Sequence, residues 1–374
     1  MIYWVMIMKR YARKILTAVK TAAVLIFFML CTFRPQLTGK AVSEAVQRCL
    51  LTVIPSLYAM MIVSAVIVRS GILTHTPKAM GRISRAVFGM NGCIMAIFSF
   101  SAFAGYPVGT SMILEMHEKK AISRETASVL SGLCFGAGPA FVFGFISGKY
   151  YSLPSAGVIV TLSAAAANVI LALVLSPFLK KSDLSGSGGR KGIDLTAGTL
   201  TESITASGRS MAVICFTVTA FSVISAFLEA SGIYRKAGGL VSRLTSLPQD
   251  TAVSLIRGAV DITGTGPLPR DDFTLLPFLC ALTSFGGVCV LFQLCALIKG
   301  RFSVGPVILI RAASAVLSGA VCRLITPIFL RHQLKAVSSI NVRLYSSQSP
   351  VPSVMLIIMT FMLFVSCTRL SADK

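Results

Sequence analysis

The chain has 374 residues, of which 55% are hydrophobic and only 13% charged, about half the charged share of an ordinary soluble domain. With a mean hydropathy of +0.80 there is too little polar surface to clothe a water-soluble core, so the apolar excess has to face lipid. The formal net charge of +22, from 35 Lys and Arg against 13 Asp and Glu, sits mostly between apolar runs; this points to anionic lipid headgroups and away from nucleic acid as a partner.

In chain order, residues 15–33 form the first apolar run, behind Lys9, Arg10, Arg13 and Lys14. No small-residue cleavage site follows, so the expectation is an uncleaved first helix with a cytoplasmic N-terminus. Residues 49–68 are a second span of the length a bilayer requires, ~20 residues for a ~30 Å core. After the basic residues Arg69, Lys78, Arg82 and Arg85, an apolar run from Cys93 stops at Ala104-Gly105-Tyr106-Pro107-Val108-Gly109. The run 127–147 is interrupted by Phe135-Gly136-Ala137-Gly138-Pro139, and 156–179 reads as an unbroken span.

Residues 180–199 turn polar and Ser/Gly-rich, which marks a linker. Beyond it, 211–228 is a span. A shorter helix over 251–260 ends in Asp261-Ile262-Thr263-Gly264-Thr265-Gly266-Pro267. Residues 273–298 carry Phe285-Gly286-Gly287 at their centre, 303–330 form a long span with Arg311 and Arg323, and 353–367 a short last one. Three or four of these roughly ten segments are expected to be re-entrant. The expected organisation is 1–40 as N-terminal flank and first helix, 41–179 as one membrane repeat, 180–199 as linker, 200–345 as a second repeat, and 346–374 as last helix and tail. The fold class is an all-α polytopic membrane protein with two internal repeats and broken or re-entrant helices.

The repeat shows in a shift of 161 residues, which places Arg48 on Arg209, Ser64 on Ser225, Ala65 on Ala226 and Gly105 on Gly266. A shift of 150 lays Phe135-Gly136 on Phe285-Gly286. Each half reads span, basic loop, Gly/Pro-broken segment, second broken segment, long closing span. A broken helix exposes backbone N–H and C=O groups, which lipid does not tolerate except around a cavity or ligand. Paired breaks in two halves therefore point to a solute site near the midplane; close glycine packing of helices is the competing reading.

Ala41 to Ile72, with Val53-Ile54-Pro55-Ser56-Leu57, then Gly105-Tyr106-Pro107-Val108-Gly109 and Lys119-Lys120-Ala121-Ile122-Ser123, resemble the sporulation integral membrane protein YlbJ family. That family carries the nucleoside-recognition (Gate) domain, also found in concentrative nucleoside transporters and ferrous iron transport permeases. The similarity covers roughly residues 40–330. Two positions depart from its pattern. Phe135-Gly136-Ala137-Gly138 stands where a polar Asn/Ser-rich run is usual, and Asp261 where Glu is common. The resemblance implies a cell-membrane protein that binds or passes a small solute during sporulation, or a non-transporting scaffold for spore coat or cortex assembly.

The expected solute-binding residues are Gly105, Tyr106, Pro107, Gly109, Gly136, Gly138, Pro139, Asp261, Thr263, Gly264, Gly286, Gly287 and Gln293. An acid beside a membrane-embedded break is a candidate functional group, with an ion pair to Arg257 as the alternative for Asp261. Asn168 and Gln293 are expected to bond between helices. Arg311 and Arg323 lie about 18 Å apart along one helix, near opposite interfaces if both snorkel; lining a cavity is the competing, lesser reading. The ten cysteines include no C-x-x-C pair and read as small hydrophobes. His117-Glu118-Lys119-Lys120-Ala121 lacks the second His of a zinc-protease helix. No catalytic residue, metal or cofactor is expected, and the chain is read as a non-enzyme. Expected partners are anionic lipid, a small solute, and further copies of the chain or sporulation membrane proteins.

Overall fold

The computed structural model describes residues 17–18, 21–22, 24–75, 78–89, 92–179, 192–270 and 272–337. The final span expected at 353–367 and the start of the first one lie outside them. Among the described residues the chain is all helical, without strands. The helices are α1 (Val24–Phe33), α2 (Pro35–Arg48), α3 (Ile54–Arg69), α4 (Lys78–Phe88), α5 (Gly92–Ala104), α6 (Val108–Glu118), α7 (Arg124–Leu133), α8 (Pro139–Phe141), α9 (Pro154–Leu175), α10 (Ala197–Ala230), α11 (Ile233–Thr245), α12 (Gln249–Val260), α13 (Leu276–Phe285), α14 (Gly287–Ile298) and α15 (Gly305–Val337).

Local chemistry sets many of these limits. Pro35, Pro139 and Pro154 open helices at positions where the missing N–H has no partner to lose. Ser123 caps α7 by accepting from the Thr126 N–H at 3.2 Å, and Thr196 caps α10 through the Thr199 N–H. α2 and α3 are one helical rod joined by a π turn, Cys49–Val53, where Pro55 withdraws a backbone donor. α10 begins at Ala197, so the last residues assigned to the linker are already helix.

Asp194 anchors the end of that linker. Its N–H donates to the Ser70 carbonyl at 3.0 Å. Its carboxylate accepts from the Thr196 N–H and the Thr199 hydroxyl, each at 3.2 Å. The Thr196 hydroxyl, then the Thr196 N–H and the Thr199 hydroxyl, hold this carboxyl below its ordinary range. A lowered folded pKa gives stability that is present above the unfolded value and lost as pH falls through the folded one. Asp194→Asn is therefore expected to lower the thermal midpoint at neutral pH and to be indistinguishable from wild type once the wild-type carboxyl is protonated; a pH series of melts checks it.

Four helices are long and apolar enough to cross a membrane: Pro154–Leu175, Ala197–Ala230, Leu276–Ile298 and Gly305–Phe329. A fifth span results if Met80–Val87 and Gly92–Ala104, bent by 87°, count as one. α15 shows the solvent most clearly. It buries Arg311, Ser314, Ser318 and Cys322, spaced to fall on one face, and exposes Leu309, Val316 and Leu324 at 72–75%. In water a helix turns its apolar stripe inward. Here the polar stripe faces the protein and the apolar one faces outward, as lipid demands. The protein is an all-α polytopic membrane protein.

α2–α3 and α10 pack side by side and run in opposite directions. Arg48 donates to the Ser222 hydroxyl at 2.6 Å, Cys49 meets the Cys215 carbonyl at 3.9 Å, and Arg69 reaches Glu202 at 3.1 Å. Residue numbers rise along one rod as they fall along the other. α15 packs on α13, α9 and α7 and closes the helical core on another side.

Candidate functional site

The four breaks meet in the interior. Gly105, at φ +83°, turns the chain from α5 into a cis Tyr106–Pro107 bond and α6. A side chain added there would lie 3.1 Å from the Gly138 nitrogen, and one at Gly138 would lie 2.8 Å from the Phe103 carbonyl oxygen. The first and second breaks are thus pressed backbone to backbone. Tyr106 stacks on Phe135 at 4.9 Å, its hydroxyl buried without a partner. A side chain at Gly286, in the fourth break, would touch the Phe135 ring at 3.0 Å. One at Gly287 would lie 3.3 Å from the carbonyls of Gly258 and Ala259 and the nitrogen of Ile262, at the third break.

The freed backbone groups are satisfied by side chains. Lys149 and Tyr150 both donate to the Thr265 carbonyl at 3.0 Å, and Tyr150 also to that of Gly266. Ser254 donates to the Pro267 carbonyl at 2.8 Å. This is what membrane-depth backbone requires.

Arg311 ties the second and fourth breaks together. It is fully buried, so for Arg311 the snorkelling reading is corrected in favour of the lesser one: its position on α15 faces the protein, where it lines a space of ≈ 40 Å³ with Asn168. Its guanidinium donates to the Gly132 carbonyl at 3.1 Å, the Phe135 carbonyl at 3.2 Å, the Asn168 amide oxygen at 3.1 Å, the Ser314 hydroxyl at 3.0 Å and the Ser284 carbonyl. Its plane lies 4.6 Å from the Phe135 ring centre. Gly132 and Ser284 belong to the last turns of α7 and α13, so the cation sits against two helix C-termini, whose dipoles favour positive charge. Among the described residues no carboxylate pairs with it. Asn168 bonds between helices as expected, its amide oxygen accepting from Arg311 and Ser314 of α15, while its amide N–H donates to the Phe135 carbonyl at 3.0 Å. Gln293 does not; its bond runs within α14 to the Cys289 sulfur at 3.6 Å. Arg323 is exposed.

Asp261 is 5% exposed and ends α12. One carboxylate oxygen accepts from the Thr263 N–H at 3.0 Å and its hydroxyl at 2.8 Å. The ion pair with Arg257 that stood as the alternative for Asp261 does not form among the described residues; Arg257 pairs instead with Glu229 of α10, because the chain leaves the helix at Asp261 in extended conformation. The second oxygen of Asp261 has no partner among the described residues. A cavity of ≈ 430 Å³ lies beside it, walled also by Glu44 and Arg48 of α2, Ser222 and Glu229 of α10, and Gly264. The Arg48 Nε is buried and unpartnered.

Of the expected solute-binding residues, Asp261 and Gly264 line this cavity. Gly136 lies on a much smaller space of ≈ 40 Å³ beside Arg311 and Asn168. Gly105, Tyr106, Pro107, Gly109, Gly138, Pro139, Gly286 and Gly287 form the packed junction, and Thr263 donates to Asp261, which caps the turn Ile262–Gly264. Sequence reasoning did not place Arg48 in the site, although the 161-residue shift had marked it; Arg257, named there only as an alternative partner for Asp261, also lines the cavity, and Glu229 carried no signal.

No family model matches the chain, and no solved structure does. The sporulation integral membrane protein YlbJ of Bacillus subtilis (strain 168) is 21% identical over 172 residues, 45% of this chain and 42% of that protein. The chain thus matches less than half the length of this curated relative, and the relationship is a distant one.

Proposed function

We propose that the protein is a sporulation membrane protein that binds a small polar solute in the cavity beside Asp261, the first step of passing it across the bilayer. The carrying observation is that cavity: it adjoins a broken helix, is lined by Arg48, and holds a carboxylate oxygen that nothing in the described structure satisfies. Unpaired polar groups of this kind are costly away from water and suit a ligand with a donor for Asp261 and an acceptor for Arg48. Both the matched breaks and the distant sporulation relative support this reading.

The tight glycine contacts at Gly105, Gly138, Gly286 and Gly287 favour a second one, a non-transporting scaffold, since backbone pressed on backbone leaves no path there. Thermal unfolding of detergent-purified protein separates the two. The probes are adenosine, uridine, their monophosphates, and amino acids, with Asp261→Asn beside wild type. Asn keeps an oxygen for Thr263, so the cap survives. A ligand at a hundredfold its Kd adds about 2.7 kcal/mol, a shift expected in wild type and absent in the variant. A panel without any shift supports the scaffold.

A further inference from the structure

We propose that a second cavity, of ≈ 320 Å³ around Arg209, is the repeat-related counterpart of the Asp261 cavity, opens toward the opposite membrane face, and takes an anionic group. The proposal rests on the solute-binding reading above and deepens it.

The two cavities are built from swapped pieces of the same two rods. The Asp261 cavity takes Arg48 from α2 and Ser222, Ser225 and Ala226 from α10. Under the 161-residue shift these become Arg209 of α10 and Met61, Ser64 and Ala65 of α3, all of which line the second cavity. The shift came from the sequence; the antiparallel pairing of the rods carries each contact onto its shifted counterpart, and the packing leaves open space at both places. An antiparallel pair of equivalent rods has two such places, one on each side of the crossing. Arg48 precedes the apolar stretch of its rod and Arg209 that of the other. Because the rods run oppositely, the two arginines point to opposite ends. Along α10 the first cavity touches residues 222–229 and the second 206–213, a separation of about 24 Å between centres.

Charge identifies the ligand class at the second cavity. Its walls carry Arg69, Arg209, Lys299 and Arg301 against Glu115 and Glu118. Glu115 is taken up by Arg69 and Glu118 by Arg301 at 2.5 Å, while Arg69 also holds Glu202. Arg209 and Lys299 have no acidic partner among the described residues, and the hydroxyls of Ser207 and Ser210 beside them make no hydrogen bond to a described residue. Unpaired cations flanked by free hydroxyl donors suit a carboxylate or phosphate oxygen. A soluble anion and an anionic lipid headgroup share this chemistry.

The test is thiol labelling of Ala65→Cys and of Ala226→Cys, both half-buried positions, in right-side-out and inverted vesicles. The membrane-impermeant reagents are an anionic sulfonatoethyl and a cationic trimethylammonioethyl methanethiosulfonate. Modified peptides are resolved by mass, so the native cysteines stay. The two positions are expected to label from opposite sides. Ala65→Cys is expected to prefer the anionic reagent by about tenfold, a preference lost on adding Arg209→Gln. Labelling from one side only, no labelling, or a charge preference indifferent to Arg209→Gln overturns the proposal. In neutral-lipid vesicles, protection of Ala65→Cys by inorganic phosphate identifies a soluble anion; protection arising only with phosphatidylglycerol identifies a headgroup, and protection by neither overturns the anion site. Sidedness is read without any ligand at Asp261, so failure of the thermal-shift experiment and failure of this one are told apart.

Discussion

Replacing Arg311 by Met is expected to destabilise the protein by about 3–5 kcal/mol, the cost of stripping one partner from a buried charged network. The side chain is fully buried and donates to the carbonyls of Gly132, Phe135 and Ser284. Asn168 also serves Phe135, so the carbonyls of Gly132 and Ser284 are the ones left without the guanidinium donor. Each stranded acceptor costs about 1–3 kcal/mol where water does not reach. Arg311→Lys is expected to recover only part of the loss, since a single ammonium lacks the planar fork that reaches two helix ends at once. Unfolding of the purified variants in mixed detergent micelles checks both. The coupling is checked by adding Asn168→Ala, whose effect is expected to be non-additive with Arg311→Met because both serve Phe135. A Met variant as stable as wild type would remove Arg311 from the role of tying the breaks.

Gly109→Ala is expected to be nearly as damaging, about 3 kcal/mol, at the upper end of overpacking costs. The new methyl would lie 1.9 Å from the Cys134 carbonyl oxygen and 2.6 Å from the Ser101 Cβ. The first obstacle is backbone, so α6 and the end of α7 have to separate. Gly136→Ala is the matched control: its methyl would find its nearest neighbour, the Ala102 Cα, at 3.9 Å. That substitution is expected to be neutral or slightly stabilising through the unfolded chain. Equal melting of the two variants would mean that the junction yields more readily than its geometry implies.

These two glycines show how far the sequence carries. Both stand in breaks that are visible as Gly/Pro interruptions of apolar runs, and the interruptions fall where the helices do end. Which glycine is irreplaceable was not readable, because it depends on a carbonyl that arrives from another break. The same limit applies to the charged residues. Asp261 was marked by its cost in a membrane, and it does line a cavity. The alternative partner that local spacing offered it, Arg257, turns to Glu229 instead, since such spacing describes neighbours within a helix and says nothing about α10. Arg311 and Arg323 carry the same hydropathic signature on one helix, yet one is buried and the other exposed.

Composition and apolar run length by themselves determined that the chain is an all-helical, multi-pass membrane protein. Those properties are sums over residues, and the bilayer admits few ways to satisfy a helix backbone. Periodicity and interruptions also placed the breaks, since Gly and Pro act on their own chain locally. Tertiary structure alone decided that the breaks press together into a junction, that a buried arginine bonds two of them, and that the open space lies to the side, between α2, α10 and α12. Such contacts join residues from 27 positions apart, as Arg311 and Ser284, to 179, as Arg311 and Gly132. Their energies depend on distances of a few tenths of an ångström, which no pattern along the chain encodes.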